Sequence, residues 1–134
     1  MAITKFKMDN NKIKILLVDD SEIIRERLKE VLGHIPFPTI ICQAQDAIEA
    51  MKQLKAIQQD IVILDIKMPG ENGIEFLKKL KRINKSIFVI ILTNYSAEQY
   101  KKKCIELGAD LFLSKSKDFE MISGIIQEIH DNFF

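Results

Sequence analysis

Short continuous runs of aliphatic and β-branched residues alternate along this chain with longer segments whose apolar positions recur every three or four residues. The first pattern suits a strand buried on both faces, and the second suits a helix with one buried side. Their alternation predicts a parallel sheet with helices on both faces, and five such units can be counted. Ile13 to Val18 forms the first strand. Asp20 or Ser21 then caps a helix that turns Ile24, Leu28, Val31 and Leu32 inward and stops at Gly33. Thr39 to Cys42 is the second strand, and the next helix puts Ala47, Ile48, Met51 and Leu54 on one side, with Lys52, Gln53 and Lys55 toward water. Ile61 to Leu64 is the central strand and ends abruptly at Asp65. Met68, Pro69 and Gly70 make a turn before a helix carrying Ile74, Leu77 and Leu80. Ile87 to Leu92 is the fourth strand, ending at Thr93. A helix from about Ala97 to Leu107 closes at Gly108 in left-handed conformation. The fifth strand, Leu111 to Leu113, runs into Ser114 and Lys115. The last helix shows a core stripe of Phe119, Ile122, Ile126, Ile129 and Phe133; Phe133 and Phe134 either finish that stripe or, if exposed, mark a partner surface.

An open parallel sheet binds ligands outside the carboxyl ends of its strands. That rule brings Asp19 and Asp20, Asp65, Thr93 and Lys115 to one edge. Three carboxylates close together repel one another unless a cation neutralises them, and an all-oxygen donor set without His or Cys favours Mg²⁺, which commonly shares its shell with phosphate. Phosphoryl transfer needs an in-line nucleophile and positive charge around the equatorial oxygens. Asp65 is the candidate nucleophile, Lys115 the cation and Thr93 the hydroxyl donor.

Composition narrows the reading further. With 134 residues, 47% hydrophobic and 29% charged, the chain suits one globular domain: a polar extension over residues 1–11 and the domain over 12–134. A formal charge of +1 offers no argument for nucleic acid or an anionic membrane. No apolar stretch reaches the roughly 18 residues of a membrane span, and the start lacks a signal-peptide core, so a cytoplasmic protein is expected. Cys42 and Cys104 lack metal or redox spacing and read as buried reduced thiols. Lys101, Lys102 and Lys103 read as a solvated helix face.

Asp19 and Asp20, the stretch Asp65 to Gly70, Thr93 and Lys115 together resemble the signature of response-regulator receiver domains of bacterial two-component systems, over residues 12 to 134. The resemblance implies a flavodoxin-like three-layer α/β/α fold with a five-stranded parallel sheet, order 2-1-3-4-5, and five helices. It implies a phosphoryl group taken onto Asp65 from a histidine kinase or histidine phosphotransfer protein, with Mg²⁺ held by Asp19, Asp20, Asp65 and the backbone carbonyl of Lys67. Phe112, three residues before Lys115, falls at the family's rotamer switch and would respond as Thr93 moves toward the phosphoryl group. The domain would catalyse only its own phosphorylation and dephosphorylation. As a stand-alone, chemotaxis-regulator-like receiver it would signal to a protein partner through the face of helix 4, strand 5 and helix 5, as a monomer or a phosphorylation-dependent dimer.

Two departures from the family pattern stand out: Ser116 replaces a proline after the lysine, and Asn94 replaces a small residue after the threonine. Asn94, Lys67 and Tyr95 could screen the acyl phosphate and slow its hydrolysis. Two other readings use the same scaffold. A haloacid-dehalogenase-type phosphatase would need an acid where Lys67 stands. Intact acids argue against a non-phosphorylated receiver-like module, and a flavodoxin would need a Ser/Thr- and Gly-rich phosphate loop where Asp19 and Asp20 would repel the flavin phosphate.

Overall fold

The computed structural model describes residues 12–68, 70, 72–94 and 98–133. The strands are β1 (Ile13–Val18), β2 (Thr39–Ala44), β3 (Ile61–Leu64), β4 (Phe88–Thr93) and β5 (Leu111–Ser114). Between and after them lie α1 (Glu22–Leu32), α2 (Ala47–Ala56), α3 (Gly73–Ile83), α4 (Glu98–Glu106), a 3₁₀ turn (Phe119–Met121) and α5 (Ile122–Phe133). All strand pairs are parallel and the order is β2-β1-β3-β4-β5, as the alternating pattern and the family resemblance led us to expect.

Strand alternation divides the core in two. Ile13, Ile15 and Leu17 of β1 join Ile61 and Ile63 of β3 and Ile90 and Leu92 of β4 against Leu28 and Leu32 of α1 and Ile122, Ile126 and Ile129 of α5. Leu16, Val18, Val62, Leu64, Val89 and Ile91 point the other way, onto Ala47 and Ala50 of α2, Phe76, Leu77 and Leu80 of α3 and Cys104 of α4. The three inner strands therefore have few polar residues because neither of their faces meets water.

The helix ends follow local chemistry. The Ser21 hydroxyl, Asp46 carboxylate and Asn72 amide oxygen each accept the backbone N–H three residues on, capping α1, α2 and α3. Gly108 has φ +106° after α4, the conformation its position there led us to expect, and its N–H donates to Ile105 O. Gly70 has φ +78°, as the turn reading requires.

Several sequence expectations need correction. Ile48 does not face the core but is 71% exposed. The buried stripe of α2 runs through Ala47, Ala50, Met51 and Leu54, and Ile48 lies about 100° around the helix from Ala47. β2 continues to Ala44, because Gln43 sits on an edge strand where a polar residue costs little, and β4 starts at Phe88 rather than Ile87. Phe119 belongs to the 3₁₀ turn before α5. Cys104 is fully buried, which pushes its thiol up to about 11, whereas Cys42 is only half-buried; both are free. Lys101, Lys102 and Lys103 are exposed, as expected. The readings made for residues 1–11, Pro69, Tyr95, Ala97 and Phe134, and for the Phe133 side chain, lie outside the described residues.

At the amino-terminal edge of the sheet, Asp60 and Asp110 play parallel roles. Asp60 accepts the Lys14 N–H at 2.9 Å, and Asp110 accepts the Val89 N–H at 2.8 Å, each steadying the strand beside it. Next to Asp60, Gln59 is 2% exposed and neither polar atom of its amide has a hydrogen-bond partner. A buried unpaired amide costs about 1–3 kcal/mol. Gln59→Met, close in volume and without that penalty, is expected to raise stability by about 1 kcal/mol, a Tm gain of a few degrees in a thermal melt. A Tm at or below wild type would mean that the amide is paired in solution.

Candidate functional site

The acidic edge forms because β1 and β3 end level with one another. Val18 pairs with Leu64, so Asp19 and Asp65 follow side by side. Thr93 of β4 pairs with Ser114 of β5, which places Lys115 next to Thr93. The site is thus a product of strand register: Asp19 and Asp65 come directly after buried apolar runs, Thr93 ends one, and Lys115 follows Ser114 at the end of β5.

Asp19 and Asp65 are buried, and Asp20 is exposed at the rim. Carboxylate oxygens of the three lie within 4.8 Å of one another. The Lys115 ammonium bridges two of them, 2.7 Å from Asp19 Oδ2 and 2.8 Å from Asp65 Oδ2. The other oxygens of this pair are held by backbone: Ser21 N–H donates to Asp19 Oδ1 at 2.9 Å and Lys67 N–H to Asp65 Oδ1 at 3.1 Å. The Arg25 guanidinium donates to the Asp19 carbonyl at 2.6 Å and to Gln43 Oε1 at 3.1 Å, tying α1 to the ends of β1 and β2.

Electrostatics follow from burial and pairing. Burial raises the Asp19 carboxyl above its ordinary value, outweighing the bonds from Lys115 and the Ser21 N–H. For Lys115, burial alone would lower the ammonium, but its bonds to Asp19 and Asp65 more than reverse this and hold it above the ordinary lysine value. The Lys115 ammonium pairs with Asp19 and Asp65, so these two buried carboxylates share a single bridging cation. The donor set is oxygen throughout, which fits a hard divalent cation of the Mg²⁺ type.

Above these groups opens a cleft of about 650 Å³ lined by Asp20, Ser21, Asp65, Lys67, Thr93 and Lys115, with Asn94 and Met68 at its sides. The structure thus brings together Asp19, Asp20, Asp65, Lys67, Thr93 and Lys115. Asn94 is exposed beside the cleft. Phe112 stands apart: it pairs with Ile91 in the sheet and packs, half-buried, into the core layer that includes α4. No peptide bond among the described residues is cis, so the Lys115–Ser116 link is trans.

Sequence reasoning missed three residues that shape the site. Arg25 could have been noticed as a cation one helical turn past the Ser21 cap. Asp118, whose carboxylate accepts the Ser114 N–H at 2.8 Å, carries no local signal pointing back to β5. Gly73 starts α3 so close to the Asp65 strand end that its N–H donates to Ile66 O at 2.7 Å. A Cβ there would meet Asp65 O at 2.6 Å and the backbone of Ile66.

A doubly covered parallel sheet with an oxygen-lined acidic cleft at its carboxyl edge defines an α/β domain suited to a hard cation, and comparison with known proteins names its class. The chain belongs to the response regulator receiver domain family, whose model matches residues 15–127. It is 35% identical over 102 residues to the chemotaxis protein CheY of Halobacterium salinarum, covering 76% of this chain and 83% of that protein. It is 31% identical over 118 residues to the transcriptional regulatory protein LnrK of Bacillus subtilis, covering 88% of this chain and 54% of that protein. A LuxR-family response regulator from Aurantimonas superimposes with a TM-score of 0.81 at 28% identity, covering 90% of this chain and 86% of that one. The chain spans about half the length, or less, of the transcriptional regulators and methylesterase it matches. Family membership favours the receiver reading over the phosphatase and flavodoxin readings. Among the described residues no helix is long and apolar enough to cross a membrane.

Proposed function

We propose that Asp65 is the phosphoacceptor of a two-component phosphorelay. The observation that carries this is the position of its buried carboxylate: one oxygen receives the Lys67 N–H, the other receives Lys115, and the group faces a cleft also lined by Thr93. An Asp65 oxygen attacks phosphorus of a phosphohistidine, the P–N bond breaks and the imidazole leaves, producing an acyl phosphate. Lys115 exchanges its Asp65 contact for a phosphoryl oxygen, and the Thr93 hydroxyl donates to another. Asp19, Asp20, Asp65 and the Lys67 carbonyl would hold Mg²⁺, and the ion would supply positive charge to offset that of the incoming phosphoryl group.

Phosphoryl binding would draw Thr93 inward and let Phe112 change rotamer on β5, altering the face of α4, β5 and α5 that a protein partner reads. A histidine kinase or histidine phosphotransfer protein is the donor class this chemistry requires. We assign this domain no hydrolytic activity on other molecules and no direct contact with nucleic acid or membrane, and place it in the cytoplasm.

The test is incubation with acetyl phosphate and Mg²⁺ followed by intact mass measurement. Wild type is expected to gain one phosphoryl mass, and Asp65→Asn and EDTA-treated protein are expected to gain none. Equal phosphorylation of Asp65→Asn would move the acceptor elsewhere.

A further inference from the structure

We propose that Asp118, acting with Ser114 and Ser116, is a positioning residue that fixes the reach of Lys115 into the acidic cleft; this rests on Asp65 being the phosphoacceptor. Asp118 opens the 3₁₀ turn Phe119–Met121, a place where an acid ordinarily caps, yet its side chain makes no capping bond there. Its carboxylate turns back instead and accepts the Ser114 N–H at 2.8 Å, while its own N–H donates to the Ser114 carbonyl at 2.9 Å. One residue thus holds both backbone polar groups of the last residue of β5.

The hydroxyls close the rest of the turn. Ser114 Oγ, in a buried residue, lies 3.0 Å from Ser116 Oγ and also receives the Lys117 N–H at 3.4 Å. Lys115 sits inside this closed loop with its own N–H on the Thr93 carbonyl at 3.0 Å. Asp118 and Ser116 are absent from the cleft lining, so any influence on the chemistry passes through Lys115.

The physical need is clear. A lysine stem is long and flexible, and its ammonium meets two buried acids at once only if the backbone aims it. Misplacing a group by about 1 Å can cost on the order of 100-fold in rate. Exposed Ser116 and half-buried Asp118 would otherwise be ordinary loop residues. Every polar bond they make within the turn serves the segment that carries Lys115.

The test compares wild type, Lys115→Ala, Asp118→Ala, Asp118→Asn and Ser116→Ala. One readout is the rate of phosphorylation by acetyl phosphate at saturating Mg²⁺. The other is the ¹⁵N NMR signal of the Lys115 ammonium in metal-free protein without phosphodonor, which its ion pairs protect from rapid exchange. Asp118→Ala is expected to react about 10-fold more slowly and to lose the ammonium signal. Asp118→Asn keeps an acceptor oxygen and should restore both. Ser116→Ala, a change at an exposed position that leaves the core untouched, should slow the reaction by about 3-fold and weaken the signal, and it decides the matter if Asp118→Ala fails to fold. A wild-type rate and signal in Asp118→Ala, or in Ser116→Ala where Asp118→Ala does not fold, overturn the inference. Failure of wild type itself to be phosphorylated overturns the acceptor reading instead.

Discussion

Lys115→Met is expected to lower the stability of the metal-free protein by about 3 kcal/mol at neutral pH, because it removes one partner of a buried ionic cluster and strands the other two. Asp19 and Asp65 share this ammonium at 2.7 and 2.8 Å, and all three side chains are nearly inaccessible to water. Without it the two carboxylates face each other in a poorly hydrated cleft. The pH dependence has a definite sign. Lys115 is held above its unfolded value, so in wild type its contribution is complete at neutral pH and is lost as pH rises through the folded value. In the variant that alkaline loss disappears. Asp19, already raised by burial, also loses the bond that restrains it. A carboxyl with a raised folded value takes up its proton more readily when folded, so the variant recovers stability as pH falls from neutral toward that value. Added Mg²⁺ should stabilise the variant more than wild type, since the metal supplies the missing positive charge. Urea melts at acid, neutral and alkaline pH, with EDTA or Mg²⁺, measure all of this. Parallel curves for the two proteins at every pH would refute it.

Gly73→Ala should be the most damaging conservative change near the cleft. The added methyl lands 2.6 Å from Asp65 O and against Ile66 backbone. No rotamer change relieves a clash with main chain, so either α3 or the Asp65–Met68 loop must move. Overpacking of this kind costs about 1–3 kcal/mol, and contact with backbone places it at the upper end. If the loop moves, the Lys67 N–H to Asp65 bond and the Lys67 carbonyl move with it. We expect a stability loss of at least about 2 kcal/mol and phosphorylation slowed about 10-fold or more. Thermal melts and acetyl phosphate kinetics test the two effects separately, and unchanged values in both would show that the helix start yields without disturbing the acceptor.

The contrast between Asp65 and Gly73 shows what the sequence can reveal. Asp65 was visible because it interrupts a continuous apolar run, and strand ends in a parallel sheet gather on one edge whatever the details of packing. Thr93 and Lys115 were visible for the same reason. Gly73 is important through a close approach to a residue eight positions back, and nothing in the local pattern distinguishes it from a turn glycine. Arg25 and Asp118 act through folded geometry in the same way, and Gln59 reads as a loop residue until burial is known. Ile48 failed for a different cause. Its apolar character suggested the core, but small Ala47 and Ala50 pack more closely against the sheet and define the buried stripe. Boundaries moved mainly at edge strand β2, where half-exposed positions weaken the apolar signal.

The sheet distributes the site unevenly between rigid and yielding parts. Asp19, Asp65 and Thr93 are delivered by β1, β3 and β4, whose residues are almost all closed off from solvent. Lys115 extends from β5, a four-residue border strand whose first two residues are half-exposed. The anionic half of the site is therefore built into the least deformable portion of the molecule, and its counter-charge is mounted on a margin that opens at lower free energy. A perturbation of charge in the cleft is relieved most cheaply by displacement of that margin, so the fold itself gives the molecule a preferred direction for passing the disturbance outward.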